Sequence, residues 1–89
     1  MVTYDEKKRI KNLKKHNIDL AETGEIFSYP MITKEDTSEN YGEQRLQSLG
    51  LLNSKIVFMV WVDHADQPHI ISVREAEKHE QKYYISNVY

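Results

Sequence analysis

Residues 55–74 read KIVFMVWVDHADQPHIISVR. Ile56, Val57, Phe58, Met59, Val60, Trp61 and Val62 are apolar at every position, so both faces of that segment need cover, as in a central strand. A buried helix would also suit such a run, but its short length and wealth of Val, Ile, Phe and Trp favour strand. Asp63–Gln67 then supplies turn residues, and His69–Arg74 alternates, with Ile71 and Val73 on one face and Ile70, Ser72 and Arg74 on the other. The stretch reads as a hairpin between a covered strand and a half-wet one, which puts a sheet at the middle of the fold.

Working back toward the amino terminus, Asn53–Ser54 is a turn, and Gln44–Leu52 shows partial alternation with Gly50 as a bulge or strand end. Residues 36–42, DTSENYG, have loop composition throughout, and Met31–Glu35 reads as a short edge strand. Tyr29–Pro30 ends a helix that starts at the Asp19-x-x-Glu22 capping box and runs to Phe27. It buries Leu20, Ile26 and Phe27, takes Ile18 as its hydrophobic staple, and holds Gly24 as a close-packing point or a weakness. A first helix over Asp5–His16 is capped either by Thr3 with Glu6 or by Asp5. Ile10 and Leu13 are its apolar anchors, while Asp5, Lys8, Asn12, Lys15 and His16 line another face. Asn12 suits a helix interior poorly, which points to a specific hydrogen bond. Past the hairpin, Glu75–Tyr84 forms a last helix whose face, Ala76, His79, Glu80, Tyr83 and Tyr84, is polar for a buried one, and the final five residues fray or add an edge contact. The expected architecture is α+β: a small antiparallel sheet of three to four strands, an amino-terminal αα-hairpin and a carboxyl-terminal helix, in a single domain over residues 1–89.

A chain of 89 residues supports one core and buries roughly 60–65% of its unfolded surface. Without cysteine there are no disulfides, thiolate nucleophiles or thiolate ligands. No apolar stretch has the length of a membrane span and no export pattern opens the chain, so a cytoplasmic protein without membrane contact is expected. The net charge of −2 gives no general case for nucleic acid, but Lys7, Lys8, Arg9, Lys11, Lys14 and Lys15 crowd one helix. Such a patch faces phosphate in some proteins and only solvent in others.

His16, His64, His69 and His79 lack ligand spacing, so no metal site and no cofactor are expected. Lys, Arg, His, Glu and Tyr do suit metal-independent cleavage of RNA. A base takes the 2′-hydroxyl proton, cations hold the charge on the phosphoryl oxygens, and an acid protonates the leaving 5′-oxygen. Glu80 or a neutral histidine serves as base, Lys8, Arg45 and Arg74 surround the phosphate, and His69, His79 or Tyr83 assists the leaving group.

The ordered motifs YDEKKRIKNLKKHNIDL, Gly42-Glu-x-Arg45 with Gly50, and IISVREAEKHEQKYY resemble the BrnT family of toxins. Asp5, Lys8, Asn12, Lys15 and His16 match its first motif, and Phe27 and Pro30 match the end of its second helix. Tyr4, Asn17 and Leu20 stand where tryptophan, glycine and phenylalanine are usual. The resemblance implies a RelE-like fold and a type II toxin that cleaves RNA without metal and arrests growth. It further implies neutralisation by a BrnA-like ribbon-helix-helix antitoxin, through which the pair contacts operator DNA and represses its own operon. On that basis the catalytic candidates are Arg45, His69, Arg74, Glu80 and Lys8, with Lys15, His16, Ser72 and Tyr83 binding or orienting substrate. His69 replaces an arginine, Glu39 a histidine, Val73 an alanine and Gln81 an arginine, and lost cations weaken the hold on an anion. Those departures motivate an alternative: a catalytically weakened binding module acting mainly as co-repressor with its antitoxin. A third reading is an interaction domain whose basic first helix binds an acidic tail.

Overall fold

The computed structural model describes residues 1–65 and 67–89. In chain order it contains β1 (Thr3–Tyr4), α1 (Glu6–His16), a 3-10 helix (Leu20–Ser28), β2 (Ile32–Asp36), β3 (Arg45–Leu52), β4 (Lys55–His64), β5 (Gln67–Glu75) and α2 (Lys78–Val88). The strands form one sheet in the order β1-β5-β4-β3-β2. All neighbours are antiparallel except the two-residue β1, which runs parallel to β5. The expected α+β fold, with helical hairpin, antiparallel sheet and final helix, is the one observed, with β1 added as a fifth strand.

The apolar run of β4 is covered on both sides, as its composition requires. On one side Val57, Met59 and Trp61 join Leu52, Ile70 and Val73 under Leu20 and Ile26 of the 3-10 helix. On the other, Ile56 and Phe58 join Leu49, Ala76 and Tyr84. A nine-residue 3-10 helix is long for its weak hydrogen-bond geometry, so burial of Leu20, Thr23 and Ile26 holds it. Gly50 lies mid-strand, with no bulge, and is small for another reason: a Cβ there would meet Ile26 Cγ2 at 2.8 Å. Gly24 is the reverse case, since an added Cβ would meet nothing within 4 Å, so it is no close-packing point.

Asp5, not Thr3, caps α1, accepting from the Lys8 amide at 3.1 Å, while Thr3 sits in β1. Asn17 ends the helix in the left-handed region (φ 58°), the conformation that suits asparagine or glycine there. Asn12 is the buried residue of α1. Its amide donates to Val73 O and Ile18 O and accepts from Val73 N, all within 2.9–3.0 Å, so one side chain serves the outer edge of β5 as a further strand would. Arg9 adds a fork onto Asp19, which also caps the 3-10 helix through Ala21 N. These polar anchors replace the expected apolar ones, because Ile10 and Leu13 are 47% and 40% exposed.

Three further expectations need correction. The alternation read for β5 breaks at Ile71: Val60 pairs with Ser72 and Trp61 with Ile70, leaving Ile71 as an extra residue. Ile70 and Val73 therefore both enter the core, with Ile71 on the side of Ser72. The turn is shorter than Asp63–Gln67, since β4 continues through His64 and β5 begins at Gln67; the part of that expectation at Asp66 lies outside the described residues. The last helix covers Lys78–Val88 rather than Glu75–Tyr84, because Glu75 stays in β5 and the Glu77 amide is capped by the Glu80 carboxylate at 2.8 Å. Tyr84 anchors it, fully buried and donating to Pro30 O at 2.7 Å. Among the described residues, no helix is long and apolar enough to cross a membrane.

Candidate functional site

The sheet face opposite the 3-10 helix is only partly covered, and strand register sets out what it presents. One row runs Ile32, Leu49, Phe58, Arg74 across β2 to β5; the next runs Lys34, Gln47, Val60, Ser72. Beyond them Val62 pairs with His69, Asp36 pairs with Arg45, and Arg45 precedes the Leu46–Trp61 pair, so the third row runs Asp36, Arg45, Val62, His69. The bulge matters here. Without the extra residue, His69 would follow Val73 to the opposite face.

Helix α1 walls this face along β5. Lys8, Lys11, Lys15 and His16 look across a groove of about 470 Å³ toward Phe58, Ser72 and Arg74. His16, Lys15 and Arg74 also line an adjoining recess with Glu75 and Glu77. The Arg74 guanidinium lies 4.3 Å from the centre of the Phe58 ring and is held by Glu80 through two bonds of 2.8 and 3.0 Å. The Glu80 hydrogen bond raises the Arg74 pKa against the opposing effect of burial, and the same bond lowers that of Glu80. A carboxylate so stabilised as the anion, and also capping Glu77 N, makes a poor proton acceptor. Its geometry makes Glu80 the positioning group for Arg74 rather than the base.

His16 has the opposite environment. Burial, then the neighbouring charges of Lys15 and Arg74, lower its pKa from 6.5, so the imidazole is neutral at pH 7. The family resemblance places it among the orienting residues; its surroundings suit proton transfer.

The remaining candidates divide by location. Lys8, Lys15, His16, Ser72, Arg74 and Glu80 gather around the groove and its α2 margin. Arg45 and His69 do not join them. Arg74 lies five positions after His69 in β5, roughly 13–16 Å along the strand, and the two side chains turn to different partners. His69 is engaged with Thr3 Oγ1 at 2.8 Å and lies edge-on to His64, while Arg45 stacks on Tyr41 at 3.8 Å and bonds Glu43. Tyr83 stands exposed on α2 beside Phe58 and His79. Phe58 was missed in the sequence reading, and Lys11 was read only as part of the basic patch. Lys11 lies three residues after Lys8 and four before Lys15, and Phe58 alternates with the core residues Val57 and Met59, so helical and strand periodicity carried both signals.

Among the described residues, one group could offer three close metal ligands, Glu77, His79 and Glu80, whose atoms lie within 4.8 Å. The Glu80 carboxylate is already shared between Arg74 and the Glu77 amide, so hydrogen bonding accounts for this cluster without an ion.

This groove, with Asn12 tying α1 to β5 and Arg74 fixed by a following helix, occupies the motifs quoted above. The sequence model of the family described as ribonuclease toxin, BrnT, of type II toxin-antitoxin system matches residues 4–80. The chain belongs to the BrnT toxin family. No curated protein matched it in a further comparison. The BrnT match spans β1 to the start of α2, and so takes in Lys8, His16, Arg45, His69, Arg74 and Glu80.

Proposed function

We propose that this BrnT-family protein is a toxin of the cytoplasm that cleaves single-stranded RNA without metal, at the groove between α1 and β5. Neutral His16 takes the proton of the 2′-hydroxyl, whose oxygen attacks the adjacent phosphorus. Arg74, held flat on Phe58 by Glu80, carries the charge that gathers on the non-bridging oxygens. The 5′-oxygen leaves with a proton from an ammonium group of the α1 row, giving a 2′,3′-cyclic phosphate and a 5′-hydroxyl. Lys8, Lys11 and Lys15 draw the backbone in, and Arg45 and His69 hold it farther along. The observation that carries this reading is a neutral histidine beside a fixed arginine in a lysine-lined groove.

Membership of a type II toxin-antitoxin family supports a cognate antitoxin, which in this reading is a BrnA-like ribbon-helix-helix protein that neutralises the toxin and links it to operator DNA. A second reading, a co-repressor without cleavage, is favoured by one feature: Glu80 occupies both terminal nitrogens of Arg74.

The test is cleavage of labelled single-stranded RNA by the isolated protein in excess chelator. Cleavage is expected, with a rate that falls on acidification as His16, whose pKa is lowered from 6.5, takes up a proton, and His16→Ala should lose about 10²–10⁴-fold. An unaffected His16→Ala variant removes His16 from the chemistry. Intact RNA with and without divalent metal, together with normal growth on expression without the partner, removes the ribonuclease reading and leaves the binding-module readings.

A further inference from the structure

The Phe58 ring floors two concavities. Besides the α1 groove, it closes one end of a cleft of about 640 Å³ that runs under α2 toward the β2 edge, bounded by Ile32, Lys34, Gln47, Leu49, His79 and Tyr83. That volume lies within the roughly 300–1,000 Å³ of sites for small ligands. Ile32, Leu49 and Phe58 are consecutive partners in one row, so the floor is apolar, with Leu49 buried against Tyr84 of α2 and Ile32 and Phe58 partly exposed on either side. Lys34 and Gln47 pair in the next row and put an ammonium and an amide along one side. Tyr83 forms part of the α2 wall and remains 55% exposed despite standing beside that floor.

We infer that this cleft takes a nucleobase of single-stranded RNA, from a nucleotide next to the phosphate held at Arg74. The inference deepens the ribonuclease reading and rests on it for the identity of the polymer. An exposed aromatic ring over an apolar floor is the arrangement on which bases stack, whatever their identity. The Gln47 amide, whose donor also meets the Asp36 carboxylate, presents its oxygen to a base edge, and Lys34 offers a cation to a phosphate. Arg74 follows Phe58 in the same row, one strand spacing of about 4.8 Å away, so base and phosphate sites adjoin at nucleotide scale. Charge favours RNA over a protein segment. Lys34 edges the cleft, Lys8, Lys11 and Lys15 continue the cationic surface past Phe58, and the lining carboxylate, Glu80, is paired with Arg74.

The test is binding of a short 2′-fluoro RNA, which lacks the nucleophile, followed by fluorescence anisotropy at fixed salt. Tyr83→Ala should weaken binding about tenfold, the order of one lost stacking contact, and Tyr83→Phe should restore it. An abasic residue walked along the RNA should, at one position, weaken wild-type binding by a similar factor and have no effect on Tyr83→Ala. Equal binding by wild type and Tyr83→Ala overturns the inference, as does an abasic penalty identical in both proteins at every position. Cleavage of unmodified RNA, measured in parallel, separates the two readings. Tyr83-dependent binding without cleavage supports the base site and removes the catalytic reading, whereas cleavage with Tyr83-independent binding removes the base site alone.

Discussion

On the sheet face beneath the 3-10 helix, Leu20, Ile26, Met59, Ile70 and Val73 have no exposed surface, and the buried Ser48 hydroxyl accepts from Trp61 Nε1 and pairs with Thr33. On the opposite face Phe58 is only partly buried, and around it stand Arg74, Ser72, Lys8, Lys11, Lys15 and His16. Both faces come from the same three central strands, by alternation, so the difference lies in what covers them. The closed face completes its packing and serves stability. The open face is bounded by α1 on one side and α2 on another, and leaves a row of polar and cationic groups between them, where a polyanion can lie.

The sharpest way to break this division is Asn12→Ala. Asn12 is buried and makes three hydrogen bonds, two of them to the Val73 backbone, so its loss strands the edge of β5 and releases the wall of the groove. A loss of about 2–4 kcal/mol in stability is expected, measured by urea denaturation, with RNA binding reduced in any protein that remains folded.

Glu80→Gln sharpens the comparison from the open side. The folded-state pKa of Glu80 lies below its ordinary 4.5, so its contribution to stability is fully present above that pH and is lost as pH falls through the folded value. The wild type should therefore lose stability below about pH 4.5 more steeply than Glu80→Gln. At neutral pH the two should differ by no more than about 1 kcal/mol, because the pair is partly solvated. Thermal denaturation from pH 3 to pH 7 checks both statements; parallel curves would mean that the clamp contributes nothing.

The smallest effect belongs to neither face. Asn53 and Ser54 both take positive φ, 50° and 65°, in the β3–β4 turn, and serine holds that conformation with strain. Ser54→Gly should stabilise the protein by about 0.5–1 kcal/mol without altering RNA cleavage, readable as a raised melting temperature.

Much of the closed face was legible in the sequence. The unbroken run of β4, the turn at Asn53–Ser54 and the cap at Asp19 are local signals, and each element formed where they stand. The misreadings share a cause, since each depended on a partner distant in the chain. The bulge at Ile71 is fixed by pairing with β4, and the exposure of Ile10 and Leu13 follows from α1 docking through Asn12 and Arg9 rather than through its leucine and isoleucine. Glu80 read as a base from its residue type alone; only the fork onto Arg74 and the cap on Glu77 give it another role. Asn12 did announce itself, as a poor helix former inside a helix.

The central claim is that phosphate chemistry belongs to the α1–β5 groove and not to the Arg45–His69 end of the same face. Cleavage of one single-stranded RNA by Arg74→Ala and Arg45→Ala, side by side with wild type, tests it most directly. Arg74→Ala is expected to lose at least about 100-fold in kcat, the scale of a lost transition-state contact, and Arg45→Ala only a few-fold, in KM. Equal losses in the two variants, or a larger loss in Arg45→Ala, would contradict it.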